Sequence, residues 1–165
     1  MRKKLLFLTA LLILLVCTQC TKDNQEPEED SLIIRYPDGH VVTQRMNDVY
    51  IIDKDEPDFT VLGKPRGNPG LEFSIHCDNG GASPVYFNST GIGTNGIRMS
   101  LHHTTYTSYW NATSGIAHVT YVKRGFTDKA VIRFRDVMFT YKDNPDTLIV
   151  NGFLKATRAN VLDDI

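Results

Sequence analysis

From residue 71 onward, apolar and polar side chains alternate with a period of two, which is the period of a β-strand. Residues 71–77 show the pattern clearly: Leu, Phe, Ile and Cys hold the odd positions, and Glu, Ser and His the even ones. It recurs over residues 97–102 and 148–156. No stretch of ten residues between 31 and 165 repeats apolar side chains at the 3.6-residue spacing of a helix. Such a chain is predicted to bury its apolar face in β-sheets.

Turn sequences divide this pattern into short strands. Pro37-Asp38-Gly39 separates the two strands of a predicted hairpin, at 32–36 and 40–44. Further strands are predicted where alternation resumes, at 49–53, 59–62, 71–77, 85–87, 97–102, 117–121, 132–141 and 148–156. About ten strands without helical crossovers predict an all-β domain, an antiparallel sandwich or barrel, because parallel strands require long connections.

One strand changes phase in its middle. Ile132 and Phe134 alternate with arginines, but the next apolar residues are Val137 and Phe139. Because one extra residue at Asp136 would restore the alternation, the sequence predicts a β-bulge at this position.

The N-terminal segment has the order of a secretory signal. Three cations at residues 2–4 precede an apolar run over residues 5–16, which is shorter than the roughly 20 residues of a membrane-spanning helix. Residues 14–20, Leu-Leu-Val-Cys-Thr-Gln-Cys, resemble the lipobox of bacterial lipoproteins, although Gln19 replaces the usual small residue. The resemblance implies a lipoprotein signal peptide over 1–19 and a lipid on Cys20. The alternative is a cleaved signal in which the cysteines are incidental.

Residues 20–30 form an acidic tether behind that cysteine. Five acidic residues and one lysine between 21 and 30 give the segment a net charge of −4. Since it contains Pro27 and no aliphatic side chain, it is predicted to be a disordered spacer. An acidic run in this place is similar to the export signal of Bacteroidetes surface lipoproteins. The resemblance implies a lipid anchor in the outer membrane, with the protein facing the cell exterior; a linker without a sorting role is the alternative.

Residues 31–165 form a single predicted domain without net charge, because the −1 of the whole chain arises from the N-terminal cations and the tether. Without a basic excess, the domain lacks the electrostatic signature of nucleic-acid binding. Cys77 is the one cysteine beyond the lipobox. An internal disulfide is therefore excluded, and Cys77 is predicted to be a buried apolar residue.

The end of the chain carries a second resemblance. Residues 151–157 read Asn-Gly-Phe-Leu-Lys-Ala-Thr. With the lipobox and the tether, they are similar to small Bacteroidetes lipoproteins in families of unknown function. The resemblance implies a β-sandwich or calycin-like barrel at the cell surface, and it brings no catalytic residues.

No spacing of histidines or acids demands a catalytic or metal site. His102 and His103 are adjacent, so on a strand they would face opposite ways. The acidic residues gather in turns, where they usually serve solvation. Residues 53–56 lack the glycine and the final glutamate of an EF-hand loop. We therefore expect no enzymatic activity, no metal and no cofactor.

The segment 104–111 is the candidate binding surface. Tyr106, Tyr109 and Trp110 lie there among threonine, serine and asparagine side chains. Flat rings with polar tips suit a sugar, which has apolar CH faces and a polar rim. On a strand, Tyr106 and Trp110 would share one face and Tyr109 would take the other. The alternative is that Trp110 is simply the largest core residue.

Two tripeptides, at 30–32 and 146–148, resemble the O-glycosylation signal of exported Bacteroidetes proteins. That resemblance implies glycans on Ser31 and Thr147.

Location and aromatic content favour non-catalytic binding at the cell surface, with a glycan as the first ligand class. One alternative is an adhesion or accessory protein that binds another protein through a sheet edge. Another is a calycin-like barrel that encloses a small apolar ligand.

Overall fold

The computed structural model describes residues 26–53, 58–65, 67, 70–78, 83–103, 109–124, 127–141 and 144–158. These residues form nine β-strands and one short 3-10 turn, Thr94–Gly96. The strands are β1 (Ser31–Arg35), β2 (Val41–Asp53), β3 (Phe59–Pro65), β4 (Leu71–Cys77), β5 (Val85–Phe87), β6 (Arg98–His103), β7 (Tyr109–Arg124), β8 (Thr127–Tyr141) and β9 (Asn144–Arg158). Within these ranges, no helix has the length and apolar character needed to cross a membrane.

Eight of the strands close into an antiparallel barrel. The order around it is β1-β2-β3-β4-β6-β7-β8-β9, and β9 pairs with β1 to complete the ring. The three residues of β5 add a ninth strand against β7. The all-β prediction is confirmed, and the architecture is a closed barrel with one extra strand.

The prediction of two separate strands at 40–44 and 49–53 is wrong. A single strand, β2, runs from Val41 to Asp53; it pairs first with β1 and then, from Met46 onward, with β3. The pairing register shifts between Met46 and Asp48. This local irregularity interrupts the alternation in the sequence without ending the strand.

The first hairpin forms as predicted. Gly39 has a φ of +86° at the turn, and its N–H donates to the carbonyl of Tyr36 at 2.9 Å. The carboxylate of Asp38 accepts from the backbone N–H of His40 at 3.1 Å. This backbone hydrogen bond is the main cause of the lowered pKa of Asp38, and the side-chain hydrogen bond to the same histidine lowers it further. The rings of Tyr36 and His40 stack 4.1 Å apart.

The barrel interior is filled by the alternating apolar side chains. Buried positions follow the predicted phase in β4, β6, β7, β8 and β9. The rings of Phe73 and Phe134 stack across the interior with centroids 5.6 Å apart, and Phe59 stacks on Tyr121 at 4.4 Å. Since Gly152 lies against Phe134, an added Cβ there would collide with that ring. Packing of large rings therefore holds the barrel together from inside.

The predicted bulge in β8 is confirmed. Phe134 pairs with Gly152 and Val137 pairs with Val150, so β8 carries one more residue than β9 over this interval. Asp136 adopts a φ of +50° at the extra position. Aspartate tolerates this left-handed conformation better than most residues.

The described chain begins at Glu26, inside the predicted tether, and residues 26–30 lie against the barrel; we call them the strap. The Glu28 carboxylate lies 2.5 Å from Arg45 on β2, and the Glu29 carboxylate 2.5 Å from Lys155 on β9. Asp30 accepts from the N–H of Lys155 at 2.8 Å and has a φ of +54°. The predicted signal peptide (1–19), lipidated Cys20 and tether residues up to 25 lie outside the described residues.

Candidate functional site

A groove of about 530 Å³ lies on the outer face of the barrel, over β7, β8 and β9. Its lining combines two arginines, two phenylalanines, a histidine and an isoleucine with two strap residues, two glycines and two polar residues at the bulge: Glu26, Pro27, Gly115, Ile116, His118, Arg133, Phe134, Arg135, Asp136, Asn151, Gly152 and Phe153. Binding sites for small molecules usually have volumes of about 300–1,000 Å³. The groove is thus large enough to hold a ligand of a few sugar rings.

Strand register places one row of side chains across the groove. His118 on β7 pairs with Arg133 on β8, and Arg133 pairs with Phe153 on β9. The guanidinium carbon of Arg133 lies 4.3 Å from the centroid of the Phe153 ring. This cation–π contact favours the rotamer of Arg133 that lies over the ring.

The bulge supplies a second arginine. Because β8 carries an extra residue, Arg135 and Asp136 are consecutive yet both exposed, while Phe134 and Val137 on either side are buried. Arg135 Nε lies 3.7 Å from the Asp136 carboxylate. The amide oxygen of Asn151, a residue only 9% exposed, accepts from the backbone N–H of Asp136 and fixes the bulge from β9.

A glycine allows the neighbouring strand to follow the bulge. Gly115 on β7 has a φ of +110°, a backbone conformation that disfavours other residues. A Cβ added there would lie 2.8 Å from the backbone Cα of Val137. The register of β7 shifts on both sides of Ser114. The floor of the groove therefore depends on Gly115 as well as on the bulge itself.

The strap forms one wall of the groove. Glu26 and Pro27 line it beside the arginines. The residues that follow are fixed by Arg45, by Lys155 and by the bond that the Ser31 hydroxyl donates to the Glu28 carbonyl at 2.7 Å. Residues 26 and 27 of the strap thus close one side of a groove that also contains the side chains of Arg133 and Arg135.

Of the predicted aromatic platform, the structure describes Tyr109 and Trp110. Tyr106 lies outside the described residues. Tyr109 is 48% exposed on the outer face and contacts the His102 ring, with centroids 4.5 Å apart. Trp110 is half-buried, packs against the core and lies 5.6 Å from the Tyr141 ring. Tyr109 and Trp110 occupy opposite faces of β7, as alternation predicts, and the packing of Trp110 matches its alternative role in the core.

The predicted glycan acceptors differ in accessibility. Ser31 is fully buried, and its hydroxyl donates to Glu28 beneath the strap. A glycan there would require the strap to move. Thr147 is half-buried on β9. Among the residues that the structure describes, no three His, Cys, Asp or Glu side chains gather as metal ligands do.

A hydroxyl–imidazole–carboxylate array lies on the opposite side of the barrel. Thr60 Oγ1 is 2.9 Å from His76 Nδ1, and His76 Nε2 is 2.8 Å from Asp78. Such an order can orient a nucleophile and its base. The array, however, lies on the outer face of β3 and β4, away from the groove over β7, β8 and β9. We therefore interpret it as a hydrogen-bonded surface row.

The groove residues were not predicted from the sequence, although a signal for them was present. Arg133 and Arg135 occupy polar positions next to the predicted bulge, and bulges are frequent beside binding sites. Phe153 is an aromatic side chain at a polar position of the final strand. What alternation could not supply was the register that brings Phe153 under Arg133, or the strap that completes the wall.

Comparison with family models, curated proteins and solved structures found no match to this chain.

Proposed function

We propose that this protein is a non-catalytic, saccharide-binding surface protein, and that the groove over β7, β8 and β9 is its binding site. The observation that carries the proposal is the Arg133 guanidinium held over the Phe153 ring within a groove of about 530 Å³. A preorganised guanidinium donates paired hydrogen bonds to ring hydroxyls at little cost in side-chain entropy.

The other groove residues match the two kinds of surface on a sugar. Ile116, 42% exposed, and the Phe153 side chain provide apolar contact for CH groups. His118 and Asp136 provide donors and acceptors at the rim. This combination of a few apolar contacts with convergent polar groups is typical of ligand sites.

The location belongs to the same proposal. A lipid on Cys20 would anchor the barrel in the outer membrane, and the acidic segment behind it would direct the barrel to the cell exterior. The two supports are the lipobox-like residues 14–20 and the net charge of −4 on residues 21–30. A surface anchor brings the groove into contact with extracellular polysaccharides.

The alternative functions receive less support. An apolar ligand inside the barrel would need space that the stacked rings of Phe73 and Phe134 fill. Capture of a partner strand would need an open sheet edge. Because the barrel is closed, β1, β8 and β9 are each paired on both sides. The extra strand β5 is only three residues long, which is short for pairing with a partner strand.

A glycan array tests the proposal with three folded variants. We expect the unmodified chain to bind one class of saccharide, Arg133→Gln and Phe153→Ser to lose that binding, and Trp110→Phe to retain it. Loss in Trp110→Phe alone would transfer the site to the aromatic segment of β7. No binding by the unmodified chain would contradict a saccharide function. Circular dichroism and thermal midpoints establish that each variant folds.

A further inference from the structure

The ninth strand, β5, continues the outer surface of the groove beyond its lining. Tyr86 on β5 pairs with Ile116 on β7, and Ile116 lines the groove. Because paired residues of an antiparallel ladder project on the same side of a sheet, the Tyr86 side chain lies next to Ile116 on the outer face. It is 52% exposed, whereas Val85 and Phe87 on either side of it are buried. The outer surface next to the groove therefore carries an exposed tyrosine ring at its β5 end.

The backbone of Tyr86 is fixed from both edges of β5. One edge pairs with β7, and on the other edge the Tyr86 N–H donates to the Thr94 hydroxyl at 3.3 Å. Gly93 packs so closely against the strand that an added Cβ would lie 2.7 Å from Val85 Cγ1. Since β5 is held by the turn at 94–96 as well as by the ladder, it presents the Tyr86 ring at a defined position. Such preorganisation limits the conformational entropy that is lost when a ligand binds.

Strand register aligns two rows of outward side chains between β5 and β9. The rows are Tyr86–Ile116–Arg135 and His118–Arg133–Phe153. The second row is continued towards β5 by Ser83, whose hydroxyl lies 3.3 Å from His118 Nδ1. Because neighbouring strands lie about 4.8 Å apart, the three intervals from β9 to β5 amount to about 14 Å. The two rows therefore form a band that crosses the strands and extends past the groove.

Aromatic rings lie at both ends of this band. At the β9 end the Phe153 ring lies under the Arg133 guanidinium, and at the β5 end the Tyr86 ring is exposed. Between them the band contains the imidazole of His118 and the apolar side chain of Ile116. A sugar chain repeats its apolar CH faces and polar rim in every unit, so a chain can contact both rings at once, whereas a single unit contacts one of them.

We infer that the ligand is a linear oligosaccharide that crosses β9, β8, β7 and β5, and that Tyr86 binds the sugar unit that extends beyond the groove. This inference depends on the proposed function of the groove. It goes further by naming an extended chain as the ligand class and by assigning a role in binding to β5, which is not part of the closed ring. The affinity should therefore increase with chain length until the chain reaches Tyr86.

Saccharides of graded length test the ligand class on the full chain, purified in mild detergent. The probes are malto-, cello-, xylo- and laminari-oligosaccharides from the disaccharide to the hexasaccharide, with the same lengths of any other class that binds on the glycan array. The measurement is isothermal titration calorimetry. In at least one series we expect the hexasaccharide to bind about tenfold or more tightly than the disaccharide, because it adds the contact with Tyr86 to those in the groove.

Two other outcomes of the length series are distinguishable. Equal affinity for all lengths in every series that binds would overturn the extended chain and leave the proposed function standing. No binding by the unmodified chain, either to these probes or on the array, would overturn the proposed function and, with it, the extended chain.

Tyrosine variants locate the end of the chain. Tyr86→Ala should weaken binding of the hexasaccharide about 2–10-fold, in line with the loss of one aromatic contact, and leave the disaccharide unaffected. Tyr86→Phe keeps the ring and should keep the dependence on length. Tyr109→Ala removes a tyrosine of similar exposure, 48%, from the outer face of β7 and should change neither affinity. Arg133→Gln should weaken binding of both lengths by the same factor.

The ratio of hexasaccharide to disaccharide affinity decides the role of β5. An unchanged ratio in Tyr86→Ala would overturn the assignment of Tyr86, and a ratio lost in Tyr109→Ala instead would place the far end of the chain elsewhere on β7. Thermal midpoints establish that each variant folds, so that a change in the ratio reports on binding.

Discussion

The two sides of the barrel wall differ in regularity. The strands β3, β4 and β6 have six or seven residues, and their mutual register has no shift. The strands β7, β8 and β9 have 15 or 16 residues and contain shifts around Ser114 and Asp136. Both sides bury the same kind of apolar interior, so the difference lies in what they present to solvent.

On the regular side, outward polar groups bond to one another. Thr60 and His76 pair across β3 and β4, and the Ser74 and Ser100 hydroxyls lie 2.7 Å apart across β4 and β6. On the irregular side the bulge separates such neighbours and places Arg135 and Asp136 together on the outer face. A regular register lets outward polar groups pair with their cross-strand neighbours, whereas a bulge interrupts that pairing.

The largest expected effect tests whether the two sides share one interior. Phe73 lies on the regular side and Phe134 on the irregular side, and their rings stack. Replacing either with alanine should lower the free energy of unfolding by about 3–5 kcal/mol, measured by chemical denaturation. If the losses in free energy of unfolding of the two variants differ by more than about 2 kcal/mol, one side of the barrel is stabilised largely without the other.

Two glycine-to-alanine variants compare how tightly the two sides of the barrel are packed. In Gly152→Ala on β9, the new Cβ would lie 2.8 Å from Leu32 Cδ2 and closer still to the Phe134 ring. We expect a loss of about 1–3 kcal/mol from this overpacking. In Gly63→Ala on β3 the nearest atoms are 3.7 Å away, so the change should be below about 1 kcal/mol. Equal thermal midpoints for the two variants would contradict the tight approach of β9 to β8.

Loss of the Asn151–Asp136 hydrogen bond that fixes the bulge should lower the free energy of unfolding more than loss of the Ser74–Ser100 hydrogen bond on the regular side. Asn151→Ala removes the acceptor of the Asp136 N–H, and we expect a loss of about 1–2 kcal/mol together with weaker ligand binding. Ser74→Ala breaks the bond to Ser100, but both residues are half-exposed and water can replace it. Its cost should stay below about 1 kcal/mol, again by denaturation. A larger cost for Ser74→Ala would reverse the contrast.

The smallest effect concerns Cys77, at the end of β4 on the regular side. Burial, and secondarily the negative charge of Asp78, raises the pKa of its thiol to about 12. At pH 8 the native thiol is therefore protonated, and the peptide that contains Cys77 should be alkylated much more slowly than in denaturant, as mass spectrometry measures.

The raised pKa of Cys77 also makes the stability of the fold depend on pH. The neutral thiol is favoured in the folded state, so its contribution to stability is complete below the unfolded pKa of about 8.5 and declines as the pH rises from there towards 12. Rapid alkylation at pH 8 under native conditions would show that this side of the barrel opens readily.

Alternation in the sequence predicted which side chains of β4, β6, β7, β8 and β9 face the interior, because a period of two depends only on neighbours along the chain. It also predicted the bulge, since a bulge breaks that local period. Closure of the ring and the row from His118 to Phe153 depend on register between strands, which no single strand records. The strap was predicted to be a disordered spacer for a related reason: its acidic residues are ordered by Arg45 and Lys155, which lie far from it in the sequence.

The seam between β1 and β9 governs how this barrel can form. Ser31 pairs with Phe153, whereas the hairpins β1–β2, β7–β8 and β8–β9 join strands that are close in the chain. Pairing of such distant residues slows folding, and domains rich in it commonly need milliseconds to seconds. Until β9 arrives, β1 and β8 both expose unpaired edges, which are sites of aggregation. Among the described strands, β9 is synthesised last and removes both open edges at once, so a chain that stalls before it would be the species most in need of a chaperone.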